Sequence, residues 1–335
     1  MKFRSLIALT AIPCALLVSS PLLADNHAAH AAPAAESKGP ALWKVADKDT
    51  TIYLFGTIHV LPQGIEWYDP TLAKAFDSAQ TVVTEIPMDP ESEAALAKLA
   101  ETRGTLPEGT TVRSLLSESQ KADYTAALNK LGSKIETAQL AQAPAEARAQ
   151  YEDAKAKGLV PSPGDALAAQ FDTKKPWMVG LALSLLPLTI EGYDPNSGVE
   201  KVLLGKAGEK SKDALETAEF QLGIFDGMPQ DAQVSFMLDA ANMMDETKPT
   251  LDRMVAAWSK GDADNLAAIM NEGMDDPKVA EALLYNRNAN WADWIKTRMK
   301  EPGTVFIAVG AGHLAGDRSV QDYLKKKGIK VTRVK

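Results

Sequence analysis

The C-terminal segment of this 335-residue chain limits the fold more than any other. Thr304 to Val309 is an apolar run after its first residue, and the loop Gly310 to Gly316 follows it. A helix then spans Arg318 to Lys327, is stopped by Gly328, and leads into a second strand, Ile329 to Val334. A strand that is apolar at successive positions has no side to turn toward water, so both of its faces must be covered. With a strand, a loop, a helix and a strand in that order, the expected fold is α/β. A central, mostly parallel or mixed sheet is flanked by helices.

The rest of the chain fits this frame. Leu42 to Val45 and Thr51 to Phe55 flank the polar turn Asp47-Lys48-Asp49 and read as a β-hairpin. Pro70 to Ala79 reads as a short helix, and Thr81 to Ile86 as a buried strand ended by Pro87. From Pro90 to about Gly158 the sequence is rich in Ala, Leu, Glu and Lys, broken by Pro107, Gly109 and Pro144. A second helical block runs from Pro163 to about Gly208, so a large helical insert over approximately 90–210 is expected. Within that block Ser197 and Glu200 have the spacing of a capping box ahead of Val202, Leu203 and Leu204. A short strand is expected around Ala214 to Thr217. Helices follow to about Met299, with Trp258, Trp291 and Trp294 as packing anchors.

The N-terminus reads as an export signal over 1–24. Lys2 and Arg4 precede an apolar run from Leu6 to Val18, and Ala24 is a small residue suited to cleavage. The run is shorter than the roughly 20 residues a membrane span needs, so cleavage is preferred to a retained anchor. Residues 25–40, rich in Ala with Pro, Gly and Ser, read as a flexible leader to a domain over 41–335. Cleavage also removes the sole cysteine, Cys14, and with it disulfides, thiolate ligands and a cysteine nucleophile. Removing Lys2 and Arg4 from the 36 basic residues leaves 34 against 44 acidic, a net charge of −10. Such a chain has no electrostatic footprint for nucleic acid, and no stable membrane span is expected after signal cleavage. The expected location is periplasmic or secreted.

Of four histidines, His27 and His30 lie in the leader, which leaves His59 and His313 for the folded part. Each follows an apolar strand and stands three residues after a glycine, in Gly56-Thr57-Ile58-His59 and Gly310-Ala311-Gly312-His313. Glycine permits positive φ or a close backbone approach where a chain leaves a buried strand. An imidazole at that point sits at the carboxyl end of its strand, where open α/β sheets bind ligands. It can hold a divalent metal or act as a general base; its commoner role is a hydrogen-bonded boundary residue. Glu85 ends the strand before Ile86-Pro87 and can join two imidazoles in a metal site or position a water. Glu216 lies near a strand end. Arg287 can bind a substrate carboxylate or an oxyanion, although such an arginine is more often a surface ion pair. No G-x-S-x-G motif is present, so a serine hydrolase of the elbow type is not indicated.

Two segments, Leu54-Phe55-Gly56-Thr57-Ile58-His59-Val60-Leu61-Pro62 and Val309-Gly310-Ala311-Gly312-His313-Leu314, resemble the signature segments of the TraB/GumN (TraB/PrgY/GumN) family. Val82-Val83-Thr84-Glu85, Leu215-Glu216-Thr217 with Gln221, and Arg287-Asn288 with Trp291 resemble its intervening landmarks. The resemblance implies kinship with Tiki metalloproteases, erythromycin esterases and ChaN-like haem-binding proteins. By that kinship His59, Glu85 and His313 would form the metal and catalytic set, with Glu216 as a further ligand and Arg287 beside them. A divalent ion (Mn, Co or Zn) would be the cofactor, and a peptide or small-molecule substrate the partner. The leading expectation is a metal-dependent hydrolase acting on peptide bonds. The alternatives are a metal-independent esterase with a histidine base, and a non-catalytic protein that binds haem or a signal peptide.

Overall fold

A computed structural model describes residues 39–272 and 277–335. The export signal and all but the last two residues of the leader, with His27 and His30, lie outside the described residues. Among the described residues eight strands occur: β1 (Leu42–Ala46), β2 (Thr50–Thr57), β3 (Leu61–Pro62), β4 (Thr81–Thr84), β5 (Tyr193–Asp194), β6 (Ser211–Ala214), β7 (Gly303–Gly310) and β8 (Val331–Arg333). Six form one mixed sheet in the order β6-β4-β7-β2-β1-β8, and β3 pairs with β5. The first four strands of that order run parallel; β1 is antiparallel to both β2 and β8. The fold is α/β with helices on the sheet's faces, as the C-terminal segment required.

β7 shows why. Val305, Ile307 and Val309 enter one core with Ile52, Leu54, Val83, Ile295 and Leu324. Phe306 and Ala308 point the other way, into a core with Phe55, Phe76 and Val82. Full burial of each larger side chain contributes about 1.5–3 kcal/mol, so a central strand with no polar face is strongly held at this place. A third cluster is mostly helical. It joins Tyr124, Leu128 and Leu131 of the helix Glu118–Gln142 to Val179 and Leu183 of the helix Pro176–Ile190. Pro176–Ile190 is an apolar helix buried along most of its length, and it includes Pro187. Among the described residues no helix is long and apolar enough to cross a membrane.

Two local expectations need correction. The strand expected around Ala214 to Thr217 is β6, Ser211–Ala214, which pairs Thr81 with Ser211 and Thr84 with Ala214. It is an edge strand with exposed polar side chains, so its position follows from pairing with β4 and leaves no apolar pattern to read. The capping box also dissolves. Gly198, not Ser197, caps the helix Val199–Lys206, and the Glu200 carboxylate turns away from that helix end to meet His59.

Candidate active site

The parallel strands end side by side, and each hands a functional residue to the same end of the sheet. In spatial order, β6 leads to Glu216, β4 to Glu85, β7 to His313 and β2 to His59. His313 sits in a 3-10 turn, Ala311–Leu314, directly after β7. Sequence neighbours play no part in this; parallel pairing in register, Thr57 opposite Gly310, brings the distant segments together. The glycine before His59 serves close approach. A Cβ on Gly56 would stand 2.9 Å from the Ala311 Cα, so a side chain there would push the two exits apart. Trp258 donates its indole N–H to the Gly56 carbonyl at 2.7 Å and fixes the same point from a helix.

Arg287 is the centre of the cluster and is fully buried. Its Nε and Nη2 fork onto Glu216 at 2.9 Å, and Nη2 also reaches Glu85 Oε2 at 2.5 Å. Nη1 donates to the Leu283 carbonyl at 3.0 Å and faces His313 Nε2 at 3.1 Å. Every N–H of the guanidinium therefore has an acceptor inside the protein. Gly310 N–H donates to Glu85 Oε1 at 2.7 Å, and Gln221 Nε2 bridges Glu85 and Glu216 at 3.1 and 3.0 Å. Trp291 donates to Glu216 Oε1 at 2.9 Å and lays its ring 4.2 Å from that of His313. Burial raises the Glu85 pKa, although Arg287 and His59 oppose the rise. Burial likewise opposes the charge on Arg287, but Glu85 and Glu216 outweigh it and keep the guanidinium cationic.

The imidazoles differ because their partners differ. His59 Nδ1 lies 2.6 Å from Glu200 Oε1, and both side chains are almost wholly buried. The contact is close but not aligned as a hydrogen bond, and Nε2 meets no hydrogen-bond partner among the described residues. Thr57 donates its hydroxyl to the same Glu200 oxygen. Burial alone would lower the His59 pKa; the Glu200 carboxylate outweighs it and leaves the pKa raised. Burial would raise that of Glu200, but His59 and then Thr57 hold it low. Two backbone features press the pair together: Val199 N–H donates to the Ile58 carbonyl at 3.0 Å, and Gly198 leaves no room for a Cβ against the His59 carbonyl. His313 has an amide partner instead, with Nδ1 2.6 Å from Asn288 Oδ1. Burial, reinforced by Arg287 and His59, sends its pKa well below the usual value, so its ring stays neutral.

All five expected residues meet in one neighbourhood, and Arg287 is no surface arginine. Glu200, Gln221 and Asn288 complete the group. Glu200 was legible only as a helix-capping acid, and no local pattern assigned roles to the other two. Most donors of the expected ligand set are already engaged. His313 Nε2 faces a guanidinium N–H, and the Glu85 oxygens are taken by Gly310, Gln221 and Arg287. Among the described residues no three His, Cys, Asp or Glu side chains surround a common point that a metal ion could occupy. With a guanidinium already between the carboxylates and His313, the side chains as arranged do not fit a divalent ion.

A buried cluster of two imidazoles and three carboxylates around one arginine, at the carboxyl ends of parallel strands, defines an α/β protein with a polar centre. The TraB/PrgY/gumN family profile matches residues 41–333, and the chain belongs to that family. Two curated proteins similar to it are both described as uncharacterized protein YbaP, one from Escherichia coli (strain K12) and one from Shigella flexneri. Each is 25% identical over 157 residues, covering 46% of this chain and 58% of the relative. The chain thus spans little more than half the length of these relatives. No solved structure matches it.

Proposed function

We propose that this chain is an exported hydrolase of a peptide or small ester, with His59 as its general base. The observation that supports this reading is a buried imidazole facing a buried carboxylate at Nδ1, with an Nε2 that meets no partner among the described residues. In the neutral ring, Nδ1–H faces Glu200 and Nε2 carries a lone pair. That lone pair takes a proton from a water whose oxygen bonds to the substrate carbonyl carbon. The imidazolium formed is stabilised by Glu200 and returns the proton to the leaving amine or alkoxide as the C–N or C–O bond breaks. Arg287 has no N–H to spare for substrate, so it acts by fixing Glu85 and neutral His313 around the reacting centre. This proton chemistry needs no bound ion.

The direct experiment assays the purified mature chain on peptides and aryl esters with and without a chelator. Turnover is expected to survive chelation. Because His59 must lose its proton to act and Glu200 raises its pKa, kcat/KM should climb with pH above about 6.5 and level off only beyond that. Turnover that a chelator abolishes and Mn, Co or Zn restores would overturn the metal-free mechanism. No turnover of any peptide or ester would remove the hydrolase itself. Export rests on the basic start and apolar run before Ala24. A periplasmic protein beginning at Asp25 is the expected result of N-terminal sequencing, and an intact Met1 chain in the cytoplasm would count against it.

A further inference from the structure

Arg318 is the one non-glycine residue with positive φ, 58°, among the described residues. A side chain in the left-handed region crowds its own carbonyl, so it persists only where other contacts hold it. Here the contacts are numerous. Arg318 N–H donates to Asp322 Oδ2 at 2.8 Å, and Nη1 and Nη2 fork onto Glu281 at 2.6 and 2.8 Å. The guanidinium also stacks 3.9 Å over the Tyr285 ring. Glu281–Tyr285 is a π-helical turn, an uncommon form that leads straight into the helix Asn286–Arg298, which carries Arg287, Asn288 and Trp291.

The backbone of Arg318 reaches the same helix. Asn288 Nδ2 donates to the Arg318 carbonyl at 2.9 Å, which leaves Asn288 Oδ1 as the acceptor for His313 Nδ1. His313 is then protonated at Nδ1 and presents the Nε2 lone pair to Arg287 Nη1. A flipped amide would turn its NH₂ group toward Nδ1 and drive the proton to Nε2, against a guanidinium N–H. We infer that Arg318 is a positioning residue for His313: its left-handed backbone places the carbonyl that fixes the Asn288 amide, and that amide fixes the imidazole. The side-chain fork and stack hold the strained backbone in place. This concerns the state of one ring and stands apart from the reaction proposed above.

The test is nitrogen and proton NMR of histidine-labelled, chelator-treated mature chain, with His313 assigned by its loss in His313→Gln. In the wild type the His313 ring should be neutral with its proton on Nδ1, and that proton should exchange slowly. Arg318→Ala keeps the backbone strain without the contacts that hold it, so exchange should quicken by about tenfold. Arg318→Gly adopts the same φ without strain and should return the exchange rate to the wild-type range. A side-chain role alone predicts that glycine behaves as badly as alanine, and that result overturns the inference. So does an alanine variant identical to wild type. Should a variant not fold, the wild-type spectrum still decides, because a proton found on Nε2 refutes the relay. No substrate is needed, so failure of the hydrolase reading leaves this measurement intact.

Discussion

Replacing Arg287 with methionine is expected to lower the unfolding free energy by about 3–5 kcal/mol at neutral pH, as breaking a buried ion pair usually does. Methionine fills much of the same volume, so the loss is electrostatic. Glu85 and Glu216 would be left as two neighbouring carboxylates without a counter-charge, and the Leu283 carbonyl and His313 Nε2 would lose their donor. Arg287→Lys should rescue little, since one ammonium cannot reproduce a fork onto Glu216 while reaching Glu85. The deficit has a pH signature. Burial already raises the folded pKa of Glu85, and removing Arg287 takes away the largest influence opposing that rise. A carboxyl whose folded pKa is raised favours the folded state below its unfolded value and loses that contribution as pH climbs through the folded value. The gap between wild type and variant should therefore be widest at neutral pH and shrink as pH falls toward about 4.5. Urea melts at several pH values measure it; a variant as stable as wild type would mean the carboxylates find water or another cation.

The second large effect is kinetic. His59→Gln keeps a polar side chain of similar reach and removes the base, so kcat/KM should fall about 100- to 10,000-fold, the usual range for a positioned acid–base group. Glu200→Gln is the more informative partner. Once the carboxylate is gone, burial dominates and the His59 pKa drops below its ordinary value. The rising limb of the pH–rate profile should then move to lower pH while its plateau falls, because a weaker base carries the proton. A merely structural Glu200 predicts an unmoved limb. If His59→Gln retains wild-type kcat/KM on a substrate the wild type turns over, general-base catalysis by His59 is excluded.

The parts of the molecule that were legible in sequence share a physical property: their signal is local. The unbroken apolar run of β7 could only be a strand covered on both sides, and the hairpin of β1 and β2 announced itself through two short segments flanking a polar turn. Strand ends followed by Gly-x-x-His drew attention to His59 and His313 because a glycine there already implies tight packing. β6 was misplaced for the opposite reason. An exposed edge strand owes its position to the neighbour it pairs with, and its own residues carry no burial pattern.

Composition and local pattern were enough to determine an acidic chain with an α/β sheet and two imidazoles at strand ends. Only the tertiary structure decided what those imidazoles face. Glu200 reads as a helix cap and becomes the counter-ion of His59; Arg287 reads as either a substrate-binding or a surface arginine and becomes the buried centre of the cluster. Partners on other strands and helices are chosen by parallel register and by helix packing across the sheet. Those are non-local contacts, and desolvation makes their charges matter only after the chain has closed around them.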